Sequence, residues 1–344
     1  MKIVVFESEE WERPYFDGFK KEHEVVFEYE PLDEDTMAHY ADADIVSPFV
    51  YSDLARPVLE QLPQLKFIAT RSTGFDHIDL EYCADRNIKV SNVPTYGERT
   101  VAEHVFALLL SISHKIPEAV NRTRQGDFSQ KGLQGFDLGG RTMGIIGTGN
   151  IGLKTIRIAR GFDMEVLACD RQPNVQAAAE LGFSYVEMPE LLARSDIISL
   201  HVPGNKHTHH LLSTAQFAAM KDGVVLINTA RGTVVDIKAL LHALADGKVS
   251  AAGLDVLAEE PAIREEAELL RSLFTRKHDL EALLADHVLL HMKNVIITPH
   301  SAFNTREAVQ RILKTTIENI DGFLQGENVN PVGYDCIQDQ PKTL

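Results

Sequence analysis

"TMGIIGTGNIGLKTIRIARGFDMEVLACD", residues 142–170, joins two apolar runs through a glycine-rich turn. The apolar run Met143–Ile146 ends in glycines at 147, 149 and 152, and a helix-forming segment follows them directly. In this G-x-G-x-x-G order Gly147 permits the tight turn and Gly149 lets the backbone approach a pyrophosphate, while Gly152 lets helix and strand pack closely. The helix N-terminus then offers N–H groups and a positive dipole end to phosphate. Asp170 closes the next apolar run, where a carboxylate accepts hydrogen bonds from both adenosine ribose hydroxyls and repels a 2′-phosphate. Strand, glycine turn, helix and acid together predict a dinucleotide site that takes NAD. Arg171 beside the acid softens that preference, because an arginine can also meet a 2′-phosphate.

The same rhythm runs along the rest of the chain. Before residue 100 the candidate strands are "KIVVF", "EVVFEY", "DIVSPF", "KFIATRSTG" and "KVSNV". After residue 140 come "TMGIIG", "EVLACD", "DIISLHVP", "GVVLINTA", "SAAGLDVL" and "NVIITPH". Continuous apolar strands separated by helices predict parallel sheets covered on both faces. Two such series predict two doubly wound α/β parallel-sheet domains, a flavodoxin-like first domain and a Rossmann NAD-binding domain. One long helix is expected over residues 98–120, with Pro117 near its end, and another over 305–326, stopped by Gly326. The second helix carries the chain out of the nucleotide half, so the first domain is expected to be discontinuous. The expected division is 1–100 plus 302–344 for the first domain and 101–301 for the NAD-binding domain. Active sites often occupy the cleft of such an arrangement. Residues 262–292 form a charged, helix-forming insertion, read as a surface excursion or alternatively as a lid or oligomer contact.

Bulk properties exclude several partners. The chain has 344 residues, with 34 Lys and Arg against 50 Asp and Glu, giving a net charge of −16. Nucleic acids and anionic membranes need clustered cations, so neither is expected as a partner. A small anionic substrate stays open, since one local arginine overrides the global field. Cys83, Cys169 and Cys336 lie far apart without a CxxC, which points to a reducing compartment. The opening "MKIVVFESEEWE" turns acidic before any signal-peptide core develops, and "VFALLLSIS" is too short to span a bilayer. A soluble cytoplasmic protein is expected. "HTHH" (207–210) and "HVLLH" (287–291) have histidine spacings compatible with zinc, but the second pair has no nearby third ligand and no functional metal is expected.

Three motifs lie at the carboxyl ends of later strands: "NTARG" (228–232), "GLDVLAEEP" (253–261) and "TPHSAF" (298–303). They deliver one Arg, one Glu and one His after three successive strands of a sheet already committed to a dinucleotide. With "TGNIG", "RSTGFDHID" (71–79) and "SNVPTYGERTVAEHVFALLL" (91–110), they resemble the D-isomer-specific 2-hydroxyacid dehydrogenase family across nearly the whole chain. Tyr96 in "VPTYG" and Phe303 after the histidine resemble its D-lactate branch. The resemblance implies reversible NAD-dependent reduction of a small 2-oxo acid, with pyruvate favoured and D-lactate as product. Arg231 would grip the substrate and His300 would act as acid and base, with Glu260 holding the histidine's other ring nitrogen; these three are the expected catalytic residues. Thr73 and Gly74 would bind the substrate carboxylate through backbone N–H groups, so that the first domain supplies half of the substrate site. Tyr96 and Phe303 would flank its side chain, or serve simply as core. Thr100, Gly147, Gly149, Asn150, Ile151, Gly152, Asp170, His201, Val202, Pro203, Thr229, Ala230 and Asp255 would line the cofactor. A homodimer built through the apolar helix near residues 100–113 is also implied. Glu260 and His300 stand farther apart than is usual in the family, an excess supplied by the insertion. Two alternatives remain: a glyoxylate, hydroxypyruvate or bulkier 2-oxo acid reductase, and an NAD(H)-sensing regulatory protein.

Overall fold

The computed structural model describes residues 1–257 and 280–333. Its contacts divide the chain into two units, one of residues 1–96 and 305–344 and one of residues 97–304. Both sheets are wholly parallel among the described residues.

The first unit is built on β1 (Lys2–Val5), β2 (Glu24–Phe27), β3 (Ile45–Ser47), β4 (Phe67–Ala69) and β5 (Lys89–Ser91), in the order β2-β1-β3-β4-β5. These short apolar strands bury Ile3, Val4, Ile45, Val46 and Ile68 completely, as expected where both faces of a parallel sheet are covered. Helices α1 (Arg56–Glu60) and α2 (Leu80–Asp85) belong to it. Arg71, 1% exposed, pairs with Glu12 at 2.7 Å and also donates to the Phe6 and Glu7 carbonyls. That buried pair anchors the segment just before Thr73 and Gly74.

The second unit opens with α3 (Glu98–Ser113) and α4 (Ile116–Arg124). The expected single helix over 98–120 is therefore two. Lys115 takes a left-handed φ of 52°, and the Ser113 carbonyl accepts from Phe136 N at 3.0 Å instead of continuing the helix. Pro117 stands in the first turn of α4, where a missing N–H costs nothing. The sheet comprises β6 (Thr142–Ile146), β7 (Glu165–Cys169), β8 (Ser184–Tyr185), β9 (Ile197–Leu200), β10 (Val224–Asn228), β11 (Val249–Leu254) and β12 (Val295–Ile297). Their order is β12-β11-β10-β9-β6-β7-β8. Covering helices are α5 (Asn150–Gly161), α6 (Val175–Leu181), α7 (Met188–Arg194), α8 (Thr214–Ala219), α9 (Ile237–Ala245) and α10 (Leu280–His291). The order reverses beside β6, the switch point at which open α/β sheets bind ligands.

Helix α11 (Arg306–Leu324) returns the chain to the first unit, where Phe323 stacks on Phe67 with ring centroids 4.4 Å apart. Gly326 follows at φ 83°, a left-handed stop that glycine adopts without strain. Val332 N then bonds to the Val90 carbonyl at 2.8 Å. Residues 258–279, with Glu260 and much of the insertion, lie outside the described residues, as do 334–344 with Cys336.

Candidate active site

The sheet order lines up the motifs that the sequence scatters. Across neighbouring strands, Asp170 follows β7, Gly147 follows β6, His201 follows β9, Thr229–Arg231 follow β10, Asp255 follows β11 and His300 follows β12. Adjacent strands lie about 4.8 Å apart. The motifs thus form one row along the carboxyl edge of the second unit's sheet.

At the β6 position Gly147 adopts φ 95°, and an added Cβ would stand 2.5 Å from the His201 carbonyl oxygen. A Cβ on Gly152 would overlap the Gly147 carbonyl oxygen. Gly149 differs: nothing lies within 4 Å of the position a Cβ would take. The backbone before α5 therefore faces open space, with Asn150 and Ile151 in the helix's first turn and no side-chain cap on it. A pyrophosphate fits this cradle, because the first N–H groups of a helix have no partner inside it.

One strand over, a ready-made network holds Asp170. Oδ2 accepts from Thr148 N at 2.5 Å and from Thr148 Oγ1 at 2.8 Å, and Oδ1 accepts from Gln172 N at 2.9 Å. Tyr185 lies 2.8 Å from Thr148 Oγ1 and accepts from Asn174 N at 3.0 Å. The Thr148 proton points to the carboxylate, so the Tyr185 hydroxyl donates to Thr148. Thr148 was visible inside the glycine motif, but Tyr185 had no signal in its two-residue strand. Replacing Asp170 with Ala is expected to weaken NADH binding roughly 10- to 100-fold, as loss of a charge-assisted hydrogen bond costs about 1.5–3 kcal/mol. NADPH should lose much less; equal loss of both, read by fluorescence titration, would count against the ribose role.

His201 closes β9 with Nε2 3.0 Å from Ser199 Oγ. Burial pushes its imidazole down to about 3, against an ordinary value near about 6.5. The unfolded chain binds the extra proton between these values, so stability is full above the ordinary value and is lost as pH falls toward the folded one. The expected slope approaches about 1.4 kcal/mol per pH unit once the pH is below the ordinary value. Denaturant titrations between about pH 7 and 5 should display it in the wild type and lose it in His201→Gln. Val202 and Pro203 continue the turn, and the Pro203 carbonyl accepts from Thr208 Oγ1 at 2.5 Å.

After β10, Asn228 shapes the turn that presents the arginine. Its Oδ1 accepts from Ala230 N and its Nδ2 donates to the Arg231 carbonyl, both at 3.0 Å. Arg231 Nη1 donates to the Ala230 carbonyl at 2.8 Å, and its stem fills the space beside Gly204. Thr229 Oγ1 is buried with no hydrogen-bond partner among the described residues, a polar atom suited to a ligand in this row.

Asp255 is fully buried. Its Oδ1 accepts from Ser301 N at 2.9 Å and from Thr298 Oγ1, and its Oδ2 accepts from Ala302 N at 2.8 Å. His300 N donates to the Asp255 and Thr298 carbonyls, each at 2.9 Å, and the residue sits at φ 50°. A left-handed non-glycine residue costs about 1–3 kcal/mol and persists only where its surroundings impose it. Here the loop from Thr298 to Ala302 folds around one buried carboxylate, and the histidine rides on its crest. The sequence marked Asp255 only as a cofactor-lining residue.

Thr100 is buried in the first turn of α3, and Phe303 lies close to Gly97. In the first unit Thr73 Oγ1 donates to the Val93 carbonyl at 2.8 Å, and the Thr73 carbonyl accepts from Asn92 Nδ2 at 2.8 Å. The Thr73 and Gly74 N–H groups make no hydrogen bond to any described residue. The Tyr96 carbonyl accepts from Arg311 Nε at 2.8 Å. His287 and His291 stand with ring centroids 4.8 Å apart on α10. Among the described residues no group of three His, Cys, Asp or Glu could hold a metal, and no helix is long and apolar enough to cross a membrane.

Residues 106–302 match the model of the D-isomer specific 2-hydroxyacid dehydrogenase NAD binding domain. The chain belongs to the D-isomer-specific 2-hydroxyacid dehydrogenase family. As a member of that family it is an NAD-dependent 2-hydroxyacid dehydrogenase, with NAD as its cofactor. The D-lactate dehydrogenase of Escherichia coli strain K12 is 37% identical over 333 residues, covering 95% of this chain and 98% of that enzyme. A glyoxylate reductase of Thermococcus litoralis is 34% identical over 308 residues, covering 87% of this chain and 86% of the other. Among solved structures, the D-lactate dehydrogenase of Aquifex aeolicus complexed with NAD and lactic acid superposes with a TM-score of 0.84. It is 36% identical, with 94% of this dehydrogenase and 96% of that one covered.

Proposed function

We propose that this dehydrogenase reduces a small 2-oxo acid, with pyruvate favoured, to the D-2-hydroxy acid, D-lactate, in a reversible reaction. The observation that carries the reading is the row itself, in which the glycine cradle, Arg231 and His300 follow β6, β10 and β12 along one carboxyl edge of the same sheet. NADH, when bound, supplies the hydride. Arg231 grips the carboxylate or 2-oxo group with its planar fork, through charge-assisted hydrogen bonds that also fix orientation. His300 gives a proton to the carbonyl oxygen in reduction and takes it from the hydroxyl in oxidation, a duty suited to imidazole near neutral pH. Glu260 is assigned to the other ring nitrogen, where a carboxylate selects the tautomer and stabilises the imidazolium. The Thr73 and Gly74 N–H groups are assigned to the substrate carboxylate, and Tyr96 and Phe303 to the substrate side chain. Ala230, Val202 and Pro203 complete the cofactor contacts in this reading, alongside Thr100.

Similarity to enzymes named D-lactate dehydrogenase favours pyruvate. Similarity to a glyoxylate reductase and to a hydroxypyruvate reductase of Blautia hydrogenotrophica, each 34% identical, supports those acids as the second reading. A panel of 2-oxo acids assayed by NADH oxidation separates them: the highest kcat/KM is expected for pyruvate, and a preference for glyoxylate or hydroxypyruvate would select the second reading. The proposal includes a cytoplasmic homodimer. Exposed Ile116, Val120 and Phe128, just beyond α3, support an interface there.

A further inference from the structure

We infer that His104, on α3, is a positioning residue for the catalytic loop, acting on His300 through Thr298 and Asp255. The inference rests on the proposed acid–base role of His300.

His104 Nε2 lies 3.0 Å from Thr298 Oγ1 and 3.5 Å from Asp255 Oδ1. Its side chain is 20% exposed and that of Asp255 1%. The hydrogen-bond directions are fixed by elimination. A carboxylate only accepts, so the one Thr298 hydroxyl proton goes to Asp255 Oδ1. Toward His104, Thr298 Oγ1 is then an acceptor, and Nε2 must carry the proton that meets it. His104 therefore donates into the cluster whether its ring is neutral or charged.

This donor completes the fold of the loop. Asp255 collects Thr298, Ser301 and Ala302, the residues on both sides of His300. Ser301 and Ala302 approach it through backbone N–H groups, which substitution cannot remove. Thr298 is the only one of the three that approaches through a side chain, and His104 fixes that side chain from a separate element. Without the Nε2 donor, the Thr298 hydroxyl can rotate away and Asp255 Oδ1 loses the imidazole 3.5 Å from it. The left-handed backbone at His300 is imposed by this cluster, so loosening it moves the imidazole. A displacement near 1 Å of a catalytic group costs on the order of 10²-fold in rate.

The test uses the full-length enzyme with NADH and its best 2-oxo acid, and includes His104→Phe, His104→Gln, Thr298→Val and His300→Ala. The Gln amide can reach the place of Nε2 and keeps a donor there. His104→Phe is expected to lower kcat by about 10-fold or more, with the NADH dissociation constant within about two-fold of wild type. His104→Gln is expected to recover most of that loss. Thr298→Val should reproduce the defect, and combining it with His104→Phe should add little further, because the two act in one chain. Retention of at least half of wild-type kcat by His104→Phe, or an equal defect in His104→Gln, overturns the inference. Should His104→Phe fail to fold, His104→Gln against Thr298→Val decides: a wild-type rate in Thr298→Val overturns it. Full turnover in His300→Ala would instead remove the reading beneath it.

Discussion

His300→Ala is expected to lower kcat by roughly 10²–10⁴-fold, the usual contribution of a positioned acid or base. NADH should still bind with near wild-type affinity. The separation follows from the architecture. The proposed nucleotide cradle of Gly147, Gly149, Gly152 and Asp170 lies at β6 and β7, whereas His300 follows β12 at the far side of the sheet. The backbone at φ 50° is held by the Asp255 and Thr298 carbonyls, and Ala keeps both bonds. Stopped-flow hydride transfer with parallel NADH fluorescence titration reads the two quantities separately. Wild-type turnover in the variant would refute the acid–base assignment.

Arg231→Gln is expected to reduce kcat/KM for the 2-oxo acid by about 10²–10³-fold, because up to two charge-assisted hydrogen bonds worth about 1.5–3 kcal/mol each are lost. The turn itself should survive, since Asn228 shapes it through the backbone of Ala230 and Arg231. Arg231→Lys should recover the charge but not the planar fork and remain well below wild type. Steady-state kinetics over a range of 2-oxo acid concentrations measure the loss. A variant within a few-fold of wild type would mean that another group grips the substrate.

The strands of both sheets were legible because a parallel sheet buried on both faces leaves continuous apolar runs such as "GVVLINTA". Their ends were less so. "KFIATRSTG" reads as one long run, yet the strand is only Phe67–Ala69, because Arg71 turns inward to its buried pair with Glu12. The helix over 98–120 broke at Lys115, where the local signal was only the nearby proline. In the site, residues tied to a motif were readable: Gly147 and Gly152 are sterically required, and Asp170 sits beside the glycine turn. Residues acting through tertiary contacts were not. Asp255 reads only as a cofactor-lining acid after a strand, and the fold alone brings its carboxylate to the backbone of Ser301 and Ala302. Likewise His104 reads as one position on an apolar helix until β12 places Thr298 against it.

The proposed reaction is reduction of a 2-oxo acid to the D-hydroxy acid with NADH as the reductant. Its most direct test is chiral analysis of the product formed when the purified enzyme consumes a known amount of NADH with pyruvate. D-lactate is expected in equal amount to the NADH oxidised. L-lactate, or NADH binding with no reduced product from any 2-oxo acid, would contradict it.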